Sequence, residues 1–464
     1  MDQILFKIKK IIPRKLFKLL QPAYHYLLSF LAAAVYRWPS EELIVIGITG
    51  TTGKTTAVYL MAKMLESAGY KVGYTSTAMF NDGRKEWLND KKMTMAGRFF
   101  MQRILRQMVT NGCQYAIVET TSEGVVQFRH RFINYDNLVF TCLYPEHIES
   151  HGSFDSYKKA KGKLFAHLKQ CGVKYINEKR KVVKPESGIK KIELKRVKKA
   201  IIVNGDDECT DYFLNFWAQE KIVFTEKKDA LWPNVRVINY QKQSEENGNA
   251  SFIFNNLEVK LKLLGEFNIT NAMTSLCVGL VQELDKEQIK RGLENVGGVP
   301  GRLEKIEVGQ DFTVIVDYAF EPNALAKLYE TVRLIPHNRI IHVLGSTGGG
   351  RDIARRPMLG RLAGQSADYV IVTNEDPYDD DPEIIIDQVA LGVEKEGKKE
   401  NIEFFRIIDR RDAIIKAVEL AQSGDLILIT GKGCEQAICL ADGKKTPWDD
   451  RKVAEEVIKN KIKM

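Results

Sequence analysis

The chain has 464 residues, 44% of them hydrophobic and 28% charged, and a formal net charge of +9. That length predicts about three domains and a sizeable core, and the composition is that of an ordinary globular protein, not a disordered or fibrous one. The positive excess suits small anions such as nucleotides, but no Lys/Arg block is interleaved with aromatics, so no nucleic-acid binding is expected.

Most of the lysines read as a solvated surface. Seven cysteines, Cys113, Cys142, Cys171, Cys209, Cys277, Cys434 and Cys439, are scattered without a C-x-x-C pair. Neither a zinc ribbon nor a disulfide framework is indicated, and reduced thiols in a cytoplasmic protein are expected.

In chain order, Lys7, Lys9, Lys10, Arg14, Lys15 and Lys18 precede an apolar stretch from Ala23 to Tyr36 that contains His25. The stretch falls short of the roughly 20 residues a membrane span needs. A signal peptide, a basic amphipathic helix lying on a membrane surface, and a helix packed on the protein itself are the open readings. Leu43–Thr49 reads as a buried strand, Thr55–Ala68 as a helix and Lys71–Thr77 as a strand. Arg98–Asn111 predicts a helix, Tyr115–Glu119 and Asn137–Leu143 strands, Phe154–Gln170 a helix and Val173–Asn177 a strand. Ser251–Leu263 alternates about Asn255-Asn256 and predicts a hairpin. After the Gly297–Gly301 linker, strands are expected at Thr313–Asp317, Arg339–Gly345, Tyr369–Thr373 and Asp425–Thr430, with helices between. The pattern predicts an α/β fold with mainly parallel sheets covered on both faces.

Gly50-Thr51-Thr52-Gly53-Lys54-Thr55-Thr56 follows a strand and opens a helix. Main-chain amides at such a loop point at phosphate oxygens, Lys54 supplies a point charge for the β/γ-phosphates, and a Thr55 or Thr56 hydroxyl can ligate Mg²⁺. Ile48 stands where the standard loop has its first glycine, so this is a variant.

Several further segments fall in one order with this loop. They are Glu119-Thr120-Thr121-Ser122, Thr141-Cys142-Leu143 through His147 to Gly152, Tyr157 to Lys161, and Asn204-Gly205-Asp206-Asp207. Gly265 to Ala272, Gly301-Arg302-Leu303-Glu304, Asp317-Tyr318-Ala319 and Gly431-Lys432-Gly433-Cys434-Glu435 follow. Together they resemble the Mur ligases of bacterial cell-wall synthesis, most closely the MurE type, from about Val45 to Glu435.

The resemblance implies an ATP-dependent ligase that phosphorylates a carboxylate and lets an amine attack the acyl phosphate. It implies a helical N-terminal arm over residues 1–42 and a central P-loop-type ATPase domain over 43–298. A Rossmann-like C-terminal domain that binds the amino acid would span 299–464. Gly50 to Thr56, Lys54 above all, would hold ATP. Asn268 and Asn271 would contact the adenine, Asp317 the ribose and Arg302 the γ-phosphate. Thr55 and Glu119 would hold one Mg²⁺. His147 and Lys161, the latter carbamylated by CO₂, would support a second, a change that turns a cation into an anion. Thr94, Thr121 and Ser122 would meet the nucleotide-sugar peptide. Arg356, Glu375, Asp376, Tyr378, Gly431 and Glu435 would meet the amino acid.

Departures sharpen the expectation. Tyr378 replaces the arginine that pairs with the distal carboxylate of diaminopimelate, and Asp379–Asp381 follow it, so L-lysine or another diamino acid is expected. Phe320-Glu321 replaces His-Thr, and Cys434 replaces a histidine. MurE-type enzymes begin with a UDP-binding domain, whereas the first strand here starts near Leu43. The acceptor is therefore expected to be held differently or to be lipid-linked, and the N-terminal arm is compatible with membrane contact. The alternatives are a MurT-like amidating ligase, which typically carries a zinc ribbon, and a folylpolyglutamate- or cyanophycin-type ligase. A P-loop kinase or ATPase, or a non-catalytic scaffold, would come from a different class.

Overall fold

The computed structural model describes residues 14–146, 151–183, 194–244, 248–350 and 353–463. Two sheets organise it. The first takes strands β1 (Ile44–Thr49), β2 (Val72–Thr75), β3 (Met79–Asn81), β4 (Glu86–Leu88), β5 (Tyr115–Glu119) and β6 (Asn137–Phe140). A small separate sheet pairs β7 (Tyr175–Ile176), β8 (Val182–Val183) and β9 (Lys195–Arg196). The first sheet then continues with β10 (Ala200–Asn204), β11 (Glu220–Thr225), β12 (Arg236–Ser244), β13 (Asn249–Phe254) and β14 (Leu257–Leu264). Its order is β14-β13-β12-β11-β10-β6-β1-β5-β2-β3-β4. From β12 to β2 the neighbours are parallel, and both edges are closed by antiparallel pairs.

Near-continuous apolar runs mark the parallel strands because both faces are covered. Ile44, Ile46 and Ile48 of β1 enter one core, and Val45 enters the other. The expected hairpin is present: Asn255 and Asn256 both have positive φ, +47° and +63°, as a two-residue turn of matching twist requires. Deep in this sheet Asp136 accepts from Val45 N at 2.8 Å, Lys174 Nζ at 2.6 Å and Lys199 Nζ at 2.9 Å, pinning β6 beside β1.

The helices of this part are α1 (Arg14–Val35), α2 (Lys54–Ser67), α3 (Arg98–Thr110), α4 (Ser122–Val126), α5 (Phe154–Leu168), α6 (Thr210–Leu214), α7 (Phe267–Val281) and α8 (Lys286–Glu294). α1 packs on the body of the protein through its C-terminal half. Ser29 Oγ donates to Phe128 O at 2.9 Å, and the rings of Tyr26 and Phe30 meet Phe132.

The second sheet has the order β15-β16-β20-β17-β18-β19. Its strands are β15 (Glu304–Lys305), β16 (Thr313–Val316), β17 (Ile340–Leu344), β18 (Tyr369–Thr373), β19 (Phe404–Ile407) and β20 (Leu426–Ile429), parallel except for β15. Helices α9 (Pro322–Val332), α10 (Arg355–Ser366), α11 (Pro382–Glu394), α12 (Arg410–Leu420) and α13 (Asp450–Lys463) cover it, and a short hairpin, β21 (Ala437–Cys439) and β22 (Lys445–Pro447), follows β20. The expected strands are found up to three residues shorter, and β3, β4, β8, β9, β10, β11, β12, β15, β19, β21 and β22 add to those read from sequence.

His342 in β17 is fully buried between Tyr329 Oη (2.6 Å from Nδ1) and Thr430 Oγ1 (2.9 Å from Nε2), and so supports the loop after β20. Burial, with Arg410 nearby, pushes its pKa down to about 3. The unfolded chain therefore binds the extra proton, and stability present above pH 6.5 is lost as pH falls toward 3. From pH 6.5 to 5 this group costs about 2 kcal/mol. Urea unfolding at both pH values should show His342→Gln losing less stability than the parent by about that amount.

Candidate active site

Ligands bind where parallel strands end, and here the carboxyl ends of both sheets open onto one cleft of about 1100 Å³. The loop after β1 forms its floor. A Cβ on Gly50 would lie 1.9 Å from Thr141 Oγ1, and one on Gly53, at φ +78°, 2.2 Å from Asn271 Oδ1. Only glycine permits this approach. Thr51 N donates to Cys142 O at 2.8 Å and Thr141 Oγ1 to Thr52 O at 2.7 Å, which fixes the loop. No side chain caps α2, and Ala57 N to Gly53 O is its first turn's bond. The amides of Lys54, Thr55 and Thr56 precede that ladder at the positive end of the helix dipole. Lys54 Nζ folds back onto Gly50 O (3.1 Å) and Thr51 O (2.7 Å).

Glu119 ends β5 beside this loop, almost wholly buried. Its Oε2 accepts from Thr55 Oγ1 at 3.0 Å and Thr77 N at 2.8 Å, and its Oε1 from Thr77 Oγ1 at 2.9 Å. Thr77 Oγ1 lies 2.7 Å from Thr94 Oγ1. Lys161, on α5, reaches the same loop from behind: Nζ donates to Gly50 O at 2.7 Å and lies 4.6 Å from the Tyr157 ring centre. Burial first, then the Lys54 charge, hold its pKa well below the lysine range. His147 lies outside the described residues. Its neighbour Glu146 lines the cleft, its pKa raised to about 7 by burial and then by Glu321.

From the second sheet's approach segment, Arg302 stacks 4.3 Å from the Tyr318 ring centre and donates to Thr55 Oγ1 at 3.5 Å. Asp317 follows β16. Its oxygens accept from Leu303 N (2.8 Å) and Ala319 N (2.6 Å), so it shapes the turn that presents Arg302. Asn268 and Asn271 are buried at the start of α7, joined by a 2.9 Å bond, and line the cleft. Tyr144 Oη donates across the cleft to Glu321 Oε1 at 2.8 Å.

At the other end, Thr121 caps α4 through Gly124 N (3.1 Å), and Ser122 Oγ lies 3.0 Å from His151 Nε2. Arg129 joins this wall and has no ion-pair partner among the described residues. Opposite stand Glu375, Asp376, Tyr378 and Glu435, from the loops after β18 and β20. Burial raises the pKa of Glu375 to about 7. Gly431 backs Glu375: a Cβ there would sit 2.4 Å from its Oε2. Arg356 is not part of the lining, and its fork is turned to Gln388 Oε1 (2.6 Å), Thr347 O (3.0 Å) and Asp380 Oδ2 (3.4 Å). Lys92 and Lys432, absent from the sequence-predicted site, bridge Asp376 and Glu435. Thr77, Arg129 and Lys92 carry no motif signal, because their meaning lies in contacts from distant segments.

The residues fit a nucleotide with Mg²⁺. No three His, Cys, Asp or Glu side chains converge as a metal cage among the described residues. Mg²⁺ rarely uses one: it keeps waters and takes one or two protein oxygens beside substrate phosphates. The Thr55 hydroxyl and the Glu119 carboxylate, next to the open helix terminus, supply such a set.

Comparison with known proteins agrees with this architecture. The Mur ligase middle domain matches residues 48–199 and 189–279, and the Mur ligase glutamate ligase domain matches 301–433. A UDP-N-acetylmuramyl-tripeptide synthetase of Roseiflexus sp. (strain RS-1) is 34% identical over 430 residues, covering 91% of this chain and 80% of that protein. A UDP-N-acetylmuramoyl-L-alanyl-D-glutamate–2,6-diaminopimelate ligase of Syntrophomonas wolfei is 32% identical over 448 residues, covering 94% and 82%. The solved structure of a ligase of the latter name has a TM-score of 0.56 at 25% identity, covering 91% of this chain and 79% of that one. The fold extends to a Mycobacterium tuberculosis folylpolyglutamate synthase, with a TM-score of 0.62 at 16% identity over 87% and 92% of the two chains. Mur ligases in general use ATP and Mg²⁺. The chain belongs to the Mur ligase family and is an ATP-dependent acid–amino-acid ligase.

Proposed function

We propose that the chain joins an amino acid to the free carboxylate of a UDP-MurNAc-peptide-like acceptor in peptidoglycan synthesis, by way of an acyl phosphate. One observation carries this reading: Arg302, from the second sheet's side, reaches Thr55, which is itself bonded to Glu119. A cation from one half of the cleft thus meets the phosphate loop of the other. In this reading the loop amides and Lys54 cradle the phosphates, Arg302 steadies the γ-phosphoryl group, and Thr55 and Glu119 hold Mg²⁺, with His147 supporting a second ion. Asn268 and Asn271 hold the adenine and Asp317 the ribose. Bound Mg²⁺ neutralises phosphate charge so that a carboxylate can approach. A carboxylate oxygen of the acceptor attacks the γ-phosphorus and ADP leaves. The amine nitrogen then attacks the acyl carbon, phosphate leaves, and one proton is lost from nitrogen. Thr94, Thr121, Ser122 and Arg129 orient the acceptor, Arg129 as a cation for its carboxylate.

On the amino-acid side, Asp376 and Glu435 favour an ammonium, and Tyr378 stands where diaminopimelate enzymes have arginine, so the substrate is L-lysine or another diamino acid without a distal carboxylate. Incubation with ATP, Mg²⁺, UDP-MurNAc-L-Ala-D-Glu or its lipid-linked counterpart, and an amino-acid panel should give a lysine-type conjugate by mass spectrometry. Preferred use of diaminopimelate would refute the lysine clause, and phosphate release indifferent to any amine would refute the ligase reading.

Lys161 is the amine to which CO₂ adds in this account, forming an N–C bond with loss of one proton. Its burial, which favours the neutral nucleophile, supports that step. With [¹³C]bicarbonate, a carbamate resonance is expected in the parent protein and none in Lys161→Arg. A parent spectrum without it would remove the modification from the account.

The N-terminal arm supports a peripheral contact with an anionic lipid surface. Leu20, Tyr24, Leu27, Leu31 and Val35 lie on one face of α1 and are all exposed, and the sequence carries Arg14, Lys15 and Lys18 just ahead of them. Among the described residues no helix is long and apolar enough to cross a membrane. The protein should sediment with phosphatidylglycerol vesicles and lose this with Leu27→Ser/Leu31→Ser. Equal sedimentation of the variant, or none of the parent, would contradict the contact.

A further inference from the structure

Lys92 sits between β4 and α3, at φ +55°, a left-handed backbone that a lysine rarely adopts. From there its side chain crosses the cleft and becomes almost wholly buried in the opposite wall. Nζ lies 3.0 Å from Asp376 Oδ2 and also pairs with Glu435 Oε2. Lys432 Nζ completes a square, 2.8 Å from Asp376 Oδ1 and 2.8 Å from Glu435 Oε2. Tyr318 Oη donates to Glu435 Oε1 at 3.2 Å, and Cys439 N to Asp376 Oδ1 at 2.7 Å. Two ammonium groups thus balance two carboxylates. Lys432 belongs to the same wall as the acids and is fully buried there, whereas Lys92 comes from the other side. Among the described residues, its two ion pairs are the only ones that join residues before 298 to residues after it.

If Lys92 withdraws, two desolvated carboxylates are left facing one ammonium. An uncompensated buried charge is costly, so the corner then demands one more cation. Its position after β18 and β20, beside Tyr378, is the amino-acid end of the cleft, and this step rests on the reading given above. We propose that Lys92 is an internal stand-in for the terminal ammonium of the incoming amino acid. It latches the cleft at Asp376 and Glu435 until a substrate bearing such an ammonium takes its place. Charge balance admits one of the two at a time. A competitor on the same chain weakens apparent affinity by the fraction of molecules in which the site is free. Occupancy of nine in ten would weaken binding about tenfold.

The test is calorimetric titration of the full chain with L-lysine and with L-norleucine, its neutral analogue. Lys92→Met and Lys92→Gln should bind lysine about tenfold tighter than the parent, with norleucine unchanged and with Lys92→Arg like the parent. Small-angle scattering of the unliganded Met and Gln variants should show a larger radius of gyration. Equal or weaker lysine binding by Lys92→Met and Lys92→Gln would overturn the inference, as would tightening in Lys92→Arg. If another amino acid binds parent and variants equally, this inference falls and the ligase reading stands. If no amino acid binds any of them, both fall.

Discussion

The structure turns on the close packing of the loop main chain at the end of β1. Gly50 and Gly53 leave no room for a Cβ against Thr141 and Asn271, so the loop lies tight on its neighbours and the start of α2 stays open. Other parts of the cleft are arranged around that opening. β5 ends in Glu119 beside it, α5 brings Lys161 beneath it, and the segment before β15 brings Arg302 over it. Asp136, with its two buried lysines, ties β6 to β1 and so holds Thr141 against the loop. The proposed chemistry needs this order, because two anions meet only where donors are already in place.

The second sheet repeats the arrangement with opposite charge. The loops after β18 and β20 bring Glu375, Asp376 and Glu435 to the cleft, acids that suit an ammonium. In the proposed reading the loop side of the cleft takes the nucleotide and this acidic corner takes the amine. Arg302 and Lys92 are the cations that cross, in opposite directions. In the proposed reading both crossings are functional: one would complete the phosphate site, the other would hold the amino-acid site in reserve.

Much of this was legible in the sequence. Parallel strands buried on both faces read as apolar runs, so β1, β5, β18 and β20 stood out, and the Asn255-Asn256 turn marked its hairpin. Gly50–Thr56, Glu119 and Lys161 were legible by order and resemblance, and the structure brings them to one loop. Other features depend on distant partners and leave no local trace. Thr77 matters because Glu119 lies beside it, and Lys92 in a polar Asp-Lys-Lys run reads as a solvated loop until Asp376 and Glu435 arrive from some three hundred residues away. Arg356, expected against the amino acid, has its guanidinium engaged behind the wall instead.

The central claim is that the acceptor's carboxylate becomes an acyl phosphate in this cleft. Carrying out the reaction with acceptor labelled by ¹⁸O in that carboxylate, and weighing the inorganic phosphate released, tests it directly. The account predicts one ¹⁸O in each phosphate formed with product, because the bridging oxygen leaves with phosphorus when the amine attacks. Phosphate free of the label, released in step with amide product, would contradict it.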